Sequence, residues 1–238
     1  MRAMRVALKR TLQQWVPAPV LRRALTLRSR WLARRQRAAS LHQVFTNIYR
    51  RNHWGSAESV SGPGSEVGAT RAISAALPGL LRKYEIRSML DVPCGDFHWM
   101  KDVDLGGVDY VGGDIVEELV AAVSRRHGAA NRRFMVLDVA TSALPPVDLI
   151  FCRDCFIHLP FASIHAALAN FRRSKARYVL LTTYLDWPIN YDTGAGGARG
   201  VDLCAWPFNL PRPIELIEED QVGSSRRCMA LWAAQDLK

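Results

Sequence analysis

Short apolar runs alternate with amphipathic stretches through the middle of the chain. Five runs have the length of buried strands, and helical spacing appears between them over residues 116–126 and 161–172, with a shorter helical stretch over 97–103. Strands that alternate with helices are typical of an α/β protein with a parallel sheet covered on both faces. The predicted strands are residues 88–92, 110–115, 134–139, 149–152 and 178–183.

The regions that flank this alternation have other patterns. Before the first strand, apolar spacing predicts a helix over residues 41–49 and another over 66–84 that bends at Pro78. After the fifth strand, residues 185–213 are rich in Gly, Pro and Asn and lack a helical period. Residues 214–233 then carry two apolar runs on either side of a turn, which predicts a closing antiparallel hairpin.

The first 40 residues differ from the rest in composition. Met4, Leu8 and Leu12 lie on one face of a predicted amphipathic helix, with Arg and Lys on the others. Residues 1–57 hold 13 basic residues and no acidic one, whereas the remaining residues hold 19 basic and 22 acidic residues. The net charge of +10 therefore belongs to a basic N-terminal arm, residues 1–40, attached to a slightly acidic domain, residues 41–238.

Composition also narrows the compartment that we expect. No stretch approaches 18 apolar residues, the N-terminus has no apolar signal core, and five scattered cysteines favour free thiols. We therefore expect a cytoplasmic protein whose arm allows peripheral contact with the anionic inner membrane surface. An organellar targeting sequence would have the same Arg-rich, acid-free composition, and a solvated extension without a partner is a further alternative.

Carboxylates lie at or just beyond the ends of three successive predicted strands. These are Asp91, Asp114 and Asp138, and Gly95 follows the first of them in a turn. In an open parallel sheet, ligands bind outside the carboxyl ends of the strands, so we predict that these residues share one site. The alternative is that each aspartate caps the following helix and that Gly95 serves the turn alone.

The sequence around these positions resembles a known superfamily. Residues 89–95, Met-Leu-Asp-Val-Pro-Cys-Gly, resemble the first motif of class I S-adenosylmethionine (SAM) dependent methyltransferases, and the match continues through Asp114, Asp138 and residues 148–154. A closer resemblance, over about residues 43–233, is to a subgroup with SGPGS and DVPCGDF-WM motifs. The segments that carry it are residues 54–56, 61–65, 93–97, 99–100 and 207–208.

This resemblance implies a Rossmann-like, doubly wound seven-stranded sheet, mostly parallel, and SAM as cofactor. It implies that the Gly95 turn meets the amino-acid end of SAM, that Asp114 takes the ribose hydroxyls, that Asp138 lies near the adenine amino group, and that Asp91 lies near the methionine moiety. The predicted cofactor-binding set also includes Ile115, Val139, Arg153, Trp54 and Ser65.

Three residues after the fourth strand are candidates for the chemistry. His158 has the side chain best suited to act as a base near neutral pH, and Asp154 and Arg153 are the other candidates. The alternative for the last two is a surface ion pair. Aromatic and amide side chains of two irregular segments are predicted either to line the acceptor pocket or to pack those segments onto the domain: Trp54, Tyr184, Trp187, Trp206, Phe208 and Asn209.

The cysteines of Cys152-Arg153-Asp154-Cys155 have no second pair with the same spacing, so we predict packing rather than a metal site. The leading hypothesis is a SAM-dependent methyltransferase (EC 2.1.1) that methylates oxygen or nitrogen of a small molecule or glycan. One alternative is an RNA methyltransferase that uses the arm, although the acidic domain makes nucleic acid a poor partner. Another is a membrane-surface or partner-binding protein with a vestigial SAM domain.

Overall fold

The computed structural model describes Val20, residues 23–24, Leu27, residues 40–222 and residues 225–237. The predicted amphipathic helix of the arm lies outside the described residues. Within them, no helix is both long and apolar enough to cross a membrane.

Seven strands form one sheet in the order β3-β2-β1-β4-β5-β7-β6. Strands β1 to β5 pair parallel with one another, and β7 pairs antiparallel with both β5 and β6. The predicted α/β class, parallel sheet and closing hairpin are confirmed. The strands are β1 Ser88–Asp91, β2 Asp109–Asp114, β3 Arg132–Val136, β4 Leu149–Cys152, β5 Tyr178–Leu185, β6 Glu215–Val222 and β7 Ser225–Ala233.

Helices cover both faces of this sheet. Alternate residues of each strand point to opposite faces, so Leu90 packs in one apolar core and Met89 in the other. Phe171 of the last helix belongs to the first core, and Leu77 and Leu119 of the preceding two helices belong to the second. The helices are α1 Leu41–Arg50, α2 Val67–Lys83, α3 Glu117–His127 and α4 Phe161–Arg173.

Helix α1 begins at a capping box that holds the start of the domain. The Ser40 hydroxyl accepts from the Gln43 backbone N–H at 3.2 Å, and the Gln43 side chain accepts from the Ser40 N–H at 2.9 Å. This reciprocal pair satisfies two backbone donors that a helix N-terminus otherwise leaves without partners. The next helix, α2, remains helical through Pro78.

Two of the predicted elements are wrong in extent. Strand β3 ends at Val136, so Asp138 lies two residues beyond it, in a turn where its Oδ1 accepts from the Ala140 N–H at 2.9 Å. Residues 97–103 contain only a short 3-10 turn, Met100–Asp102. The reason is the left-handed backbone of Phe97, with φ of 58°, because a residue in that conformation interrupts a right-handed helix.

Candidate functional site

A cavity of about 350 Å³ lies at the carboxyl ends of β1, β2 and β4. Helix α1 lines the cavity with Leu41, Phe45 and Tyr49, and the loop after it contributes Trp54. The structure brings every predicted site residue to this cavity: Trp54, Ser65, Asp91, Gly95, Asp114, Ile115, Asp138, Val139, Arg153, Asp154 and His158. The strand-end positions therefore converge, as the parallel sheet requires.

Asp91 is the most deeply enclosed carboxylate of the cavity. Its Oδ2 accepts a hydrogen bond of 2.6 Å from the hydroxyl of Tyr110, which lies on the neighbouring strand β2. Burial raises the pKa of Asp91 to about 7, and the nearby charge of Asp114 acts in the same direction, while the Tyr110 hydrogen bond and Arg153 oppose the rise. Asp91 therefore changes charge near neutral pH.

Asp114 joins the turn after β1 to the start of α3. Its Oδ2 accepts from the Gly95 N–H at 3.2 Å, and its Oδ1 accepts from the Val116 N–H at 3.0 Å. Burial raises the pKa of Asp114 to about 6 although these backbone donors favour the charged form. The carboxylate thus satisfies a backbone donor at the start of the helix and also lines the cavity, so the two predicted roles do not exclude each other.

Gly95 lies where two chain segments come very close. Its φ is 56°, and a Cβ at this position would lie 2.2 Å from the Ser61 Oγ. The position therefore requires a residue without a side chain. The missing side chain makes room for the Ser61 hydroxyl, and the Gly95 N–H is already used, because it donates to Asp114.

Asp96 holds the serine-rich loop, residues 59–61, against the turn after β1. Its carboxylate accepts from the hydroxyls of Ser59 at 2.9 Å and Ser61 at 3.1 Å, and from the Val60 N–H at 3.0 Å. The Asp96 N–H in turn donates to the Ser61 Oγ at 3.0 Å. The sequence analysis assigned Asp96 no role. The available signals were the alternating Ser59 and Ser61 in one loop and an acidic residue in the turn after β1.

His158 is held between an aromatic ring and a backbone carbonyl. The Trp54 ring stacks on the imidazole at 4.9 Å between centroids, and Nδ1 lies 2.6 Å from the Gly197 carbonyl oxygen. A carbonyl can only accept, so Nδ1 carries the proton and Nε2 has the free lone pair. Burial lowers the pKa of His158, so the imidazole is neutral at pH 7.

Arg153 and Asp154 belong to a buried ion cluster, so the surface ion pair is wrong. The Arg153 Nε donates to Glu219 at 2.9 Å, and Arg227 donates to Asp154 at 2.9 Å. Glu219 and Arg227 come from the closing hairpin, and sequence reasoning missed both. The side chains of Arg153 and Glu219 are 5 % and 0 % exposed, so both charges are fully enclosed.

Cys152, at the end of β4, and Cys155, just after it, are buried free thiols. Within the described residues, no three His, Cys, Asp or Glu side chains are grouped so that they could hold a metal ion. Cys155 lines the cavity and belongs to the apolar core, which fits the predicted packing role.

Most of the aromatic residues predicted as possible pocket walls lie elsewhere. Trp54 lines the cavity, whereas Tyr184 packs edge-on against Trp187 at 5.6 Å, and Phe208 packs edge-on against Phe161 at 5.2 Å. Trp206 and Asn209 are also absent from the cavity lining. The segment after β5 uses its rings to pack onto the domain, and helix α1 supplies the cavity wall in its place.

No family model matches the sequence, and no curated protein sequence matches it. Solved structures do resemble it. The 1,6-didemethyltoxoflavin N1-methyltransferase of Burkholderia thailandensis, solved with its substrate and S-adenosylhomocysteine, is 16% identical, with a TM-score of 0.58 over 83% of this chain and 88% of that one. Magnesium protoporphyrin IX methyltransferase from Synechocystis, bound to S-adenosylhomocysteine, is 14% identical, with a TM-score of 0.55 over 81% and 96%.

Human N-acetylserotonin methyltransferase in complex with SAM is also similar, at 14% identity and a TM-score of 0.54. It matches 81% of this chain, which spans 60% of the length of the human enzyme. At this level of identity the resemblance establishes the fold. The described domain has the Rossmann-like fold of SAM-dependent methyltransferases.

Proposed function

We propose that this protein is a SAM-dependent methyltransferase that acts on oxygen or nitrogen of a small molecule or glycan. The observation that carries the proposal is the pair of buried carboxylates, Asp91 and Asp114, at the carboxyl ends of adjacent strands and in one cavity. Ligands of open α/β sheets bind at this edge.

The charges around the cavity suit SAM, in which the ammonium and carboxylate groups balance and the sulfonium leaves one net positive charge. Five aspartates line it, Asp91, Asp96, Asp114, Asp138 and Asp154, against two arginines, Arg153 and Arg227. Excess negative charge in an enclosed site favours a cation. A neutral product that has lost the sulfonium charge would be held less tightly and would leave more readily.

Individual residues have chemistry that fits parts of SAM. Each oxygen of Asp114 accepts one backbone N–H and retains a lone pair for a ribose hydroxyl. Asp138 offers an acceptor to the adenine amino group, with Ile115 and Val139 as apolar contacts for the ring. Asp91 would lie near the methionine moiety, beside the Gly95 turn. Trp54, Ser65 and Arg153 are the other proposed cofactor contacts.

SAM supplies an electrophilic methyl group for in-line displacement. With SAM bound, the acceptor oxygen or nitrogen would take this methyl group, and the electron pair of the C–S bond would remain on sulfur. His158 Nε2 takes the proton of the acceptor hydroxyl or amine, since Nδ1 is already protonated. Trp54 and Phe45 supply flat apolar walls that orient the acceptor and exclude water. The direct partners of Arg153 and Asp154 are charges within the protein, so we assign them to the shape and charge of the site.

The acceptor class rests on the character of these walls. Aromatic and apolar side chains from α1 and Trp54 suit a planar or sugar-like molecule of small size. Two of the structural neighbours named above are methyltransferases of 1,6-didemethyltoxoflavin and of magnesium protoporphyrin IX, which supports a small-molecule acceptor for this chain as well.

We further propose that residues 1–40 are a separate arm that attaches the protein reversibly to anionic membrane. Thirteen basic residues and no acidic residue in the first 57 support this. The alternative is that the arm recruits RNA, and deletion of the arm distinguishes the two. The remaining residues hold three more acidic than basic side chains, which gives a phosphate backbone little to bind.

The test is calorimetry with SAM and S-adenosylhomocysteine on the full chain. We expect binding, and Asp114→Ala should weaken it about 10- to 150-fold through loss of a charge-assisted contact. Asp109→Ala removes an exposed carboxylate from the opposite end of the same strand and should leave affinity unchanged. Absence of heat at millimolar SAM would reject the methyltransferase and leave the vestigial-domain alternative. Equal affinity of wild type and Asp114→Ala would reject the ribose role.

A further inference from the structure

Arg199 is a buried cation with an unusual set of partners. The residue is 6% exposed, and its guanidinium donates only to backbone carbonyl oxygens. In the described part of the chain no carboxylate pairs with it, and Asp192 acts on it at longer range. Burial lowers the pKa of Arg199 to about 10. Burial of a guanidinium without an ion partner costs free energy, and here hydrogen bonds to backbone carbonyls replace the water that the group has lost.

The carbonyls that it binds belong to the turn that carries His158. Nη1 donates to Phe156 and Ile157 at 3.2 and 2.9 Å, and Nη2 donates to Leu159 at 2.7 Å. Nε reaches the other side and donates to the Tyr191 carbonyl at 2.8 Å. One planar group therefore joins the turn after β4 to a segment about 40 residues later in the chain.

The same segment supplies the hydrogen bond that orients the imidazole of His158. The Gly197 carbonyl lies 2.6 Å from Nδ1, and the Gly196 N–H donates to the His158 carbonyl at 2.9 Å. Among the described residues Nε2 has no hydrogen-bond partner, and it is not one of the fully enclosed side-chain atoms left without one. Nε2 therefore keeps some exposed surface, and His158 is one of the residues that line the cavity.

We infer that Arg199 is a positioning residue for His158. By holding the turn against residues 191–199, it keeps the Gly197 carbonyl on Nδ1 and leaves Nε2 as the proton acceptor. This inference rests on the proposed function, because a base is needed only if the acceptor carries a proton. Arg199 itself does not line the cavity.

Besides burial, the positive charge of Arg199 lowers the pKa of His158, and its hydrogen bonds hold the turn that carries His158. Both effects favour a neutral imidazole. Burial is the main cause that lowers the pKa of His158, and the Arg199 charge adds to it, whereas the Gly197 hydrogen bond and Asp154 oppose the shift. The facing charged groups are thus Asp154 after β4 and Arg199 in the later segment. A neutral imidazole with a fixed tautomer is what proton abstraction from a hydroxyl or amine requires.

The test is long-range proton–nitrogen NMR of the histidine side chains in the full chain, with S-adenosylhomocysteine bound, between pH 5 and 9. In wild type we expect His158 to be the Nδ1–H tautomer at pH 7, with a pKa below 6.5, and the Arg199 Nε–H to exchange slowly with water. A His158 protonated on Nε2, or an Arg199 Nε–H that exchanges at the rate of exposed arginines, would overturn the inference without any variant.

Variants then test the link between the two residues. Arg199→Lys keeps the charge and loses the planar fork, so the His158 tautomers should become mixed. Arg199→Gln also removes the charge, so the His158 pKa should rise toward 6.5. Arg172→Lys, the same change on the exposed face of α4, should alter neither.

A folded Arg199→Lys protein with unchanged His158 tautomer and pKa would contradict positioning by Arg199. Calorimetry with S-adenosylhomocysteine on the same samples separates this result from failure of the proposed function. If the inference alone is wrong, cofactor affinity remains while the His158 signals are unaffected. If the function is wrong, no cofactor binds to wild type.

Discussion

The hydroxyl of Tyr110 donates a 2.6 Å hydrogen bond to the carboxylate of Asp91, whose pKa burial raises to about 7. Tyr110 is itself buried, and its own pKa is raised well above its ordinary value, so it remains the donor at every pH of interest. The pair lies across the first two strands of the sheet, where the cavity begins. Ionisation of Asp91 therefore lowers the free energy of unfolding of the protein without a ligand. When a cation is bound, the ionised carboxylate attracts it.

Asp91→Asn should make the protein more stable and bind SAM less well. Between pH 3.8 and about 7 the folded state holds a proton on Asp91 that the unfolded state has lost, so the free energy of unfolding falls as pH rises through this window. Asparagine keeps an acceptor for Tyr110 without the buried charge. We expect a gain of up to about 4 kcal/mol at pH 8 and little gain at pH 4, from denaturant unfolding.

The control is Asp109→Asn, which lies exposed at the start of β2 and should change stability little at either pH. If Asp91→Asn is less stable than wild type at pH 8, then groups within the protein, such as Tyr110 and Arg153, already offset the cost of the buried Asp91 charge.

SAM affinity should fall as pH decreases from 8 to 5.5. The pKa values of Asp91 and Asp114 are about 7 and about 6, and a cation and hydroxyl groups both prefer the ionised carboxylates. Protonation of each carboxylate lowers SAM affinity by up to about tenfold for every pH unit below the pKa of that carboxylate. Calorimetry in buffers of different ionisation enthalpy should show proton release on binding. A flat profile in wild type would contradict the linkage.

Gly95→Ala should abolish or strongly weaken SAM binding because the new Cβ would collide with the Ser61 Oγ. We expect a loss of about tenfold or more in affinity, with the domain still folded. Gly106→Ala is a matched control, since Gly106 has a φ of 60° but nothing within 4 Å of its Cβ position. Partial recovery in Gly95→Ala with Ser61→Gly would assign the loss to this contact. Equal losses in both alanine variants would assign it to backbone strain instead.

Deletion of residues 1–39 should remove binding to vesicles that contain anionic lipid while leaving SAM affinity unchanged, because the arm holds the excess positive charge. Cosedimentation with vesicles of neutral and anionic composition measures the first, and calorimetry measures the second. If the deletion instead removes retention on RNA and leaves vesicle binding intact, the RNA alternative replaces the membrane one.

The sheet and the strand-end residues of the site could be predicted because their signal is local. Asp91 and Asp114 follow apolar runs, and a parallel sheet brings its carboxyl ends together whatever the rest of the chain does. Asp138 reaches the same cavity from a turn beyond the shorter β3, so the position was right although the strand boundary was not.

The rest of the site depends on contacts between distant parts of the chain. Arg199, Glu219 and Arg227 stand in stretches whose sequence gives no sign of their partners, and the partners lie about 40 to 73 residues away. The aromatic residues after β5 were ambiguous for the same reason. Without a helical or strand period, a sequence does not indicate which side of a segment faces a cavity.

The hairpin of β6 and β7 also sets the order in which the site can be completed. Glu219 and Arg227 are the partners of Arg153 and Asp154, at separations of 66 and 73 residues. Arg153 and Asp154 also lie 3.3 Å from each other, but until the hairpin has been synthesised and has paired with β5 they lack these two further charged partners. Loop closure over such separations is slow compared with local helix formation. Because β7 also places Met229 and Trp232 in the two apolar cores, the same late pairing completes both the core and the cavity.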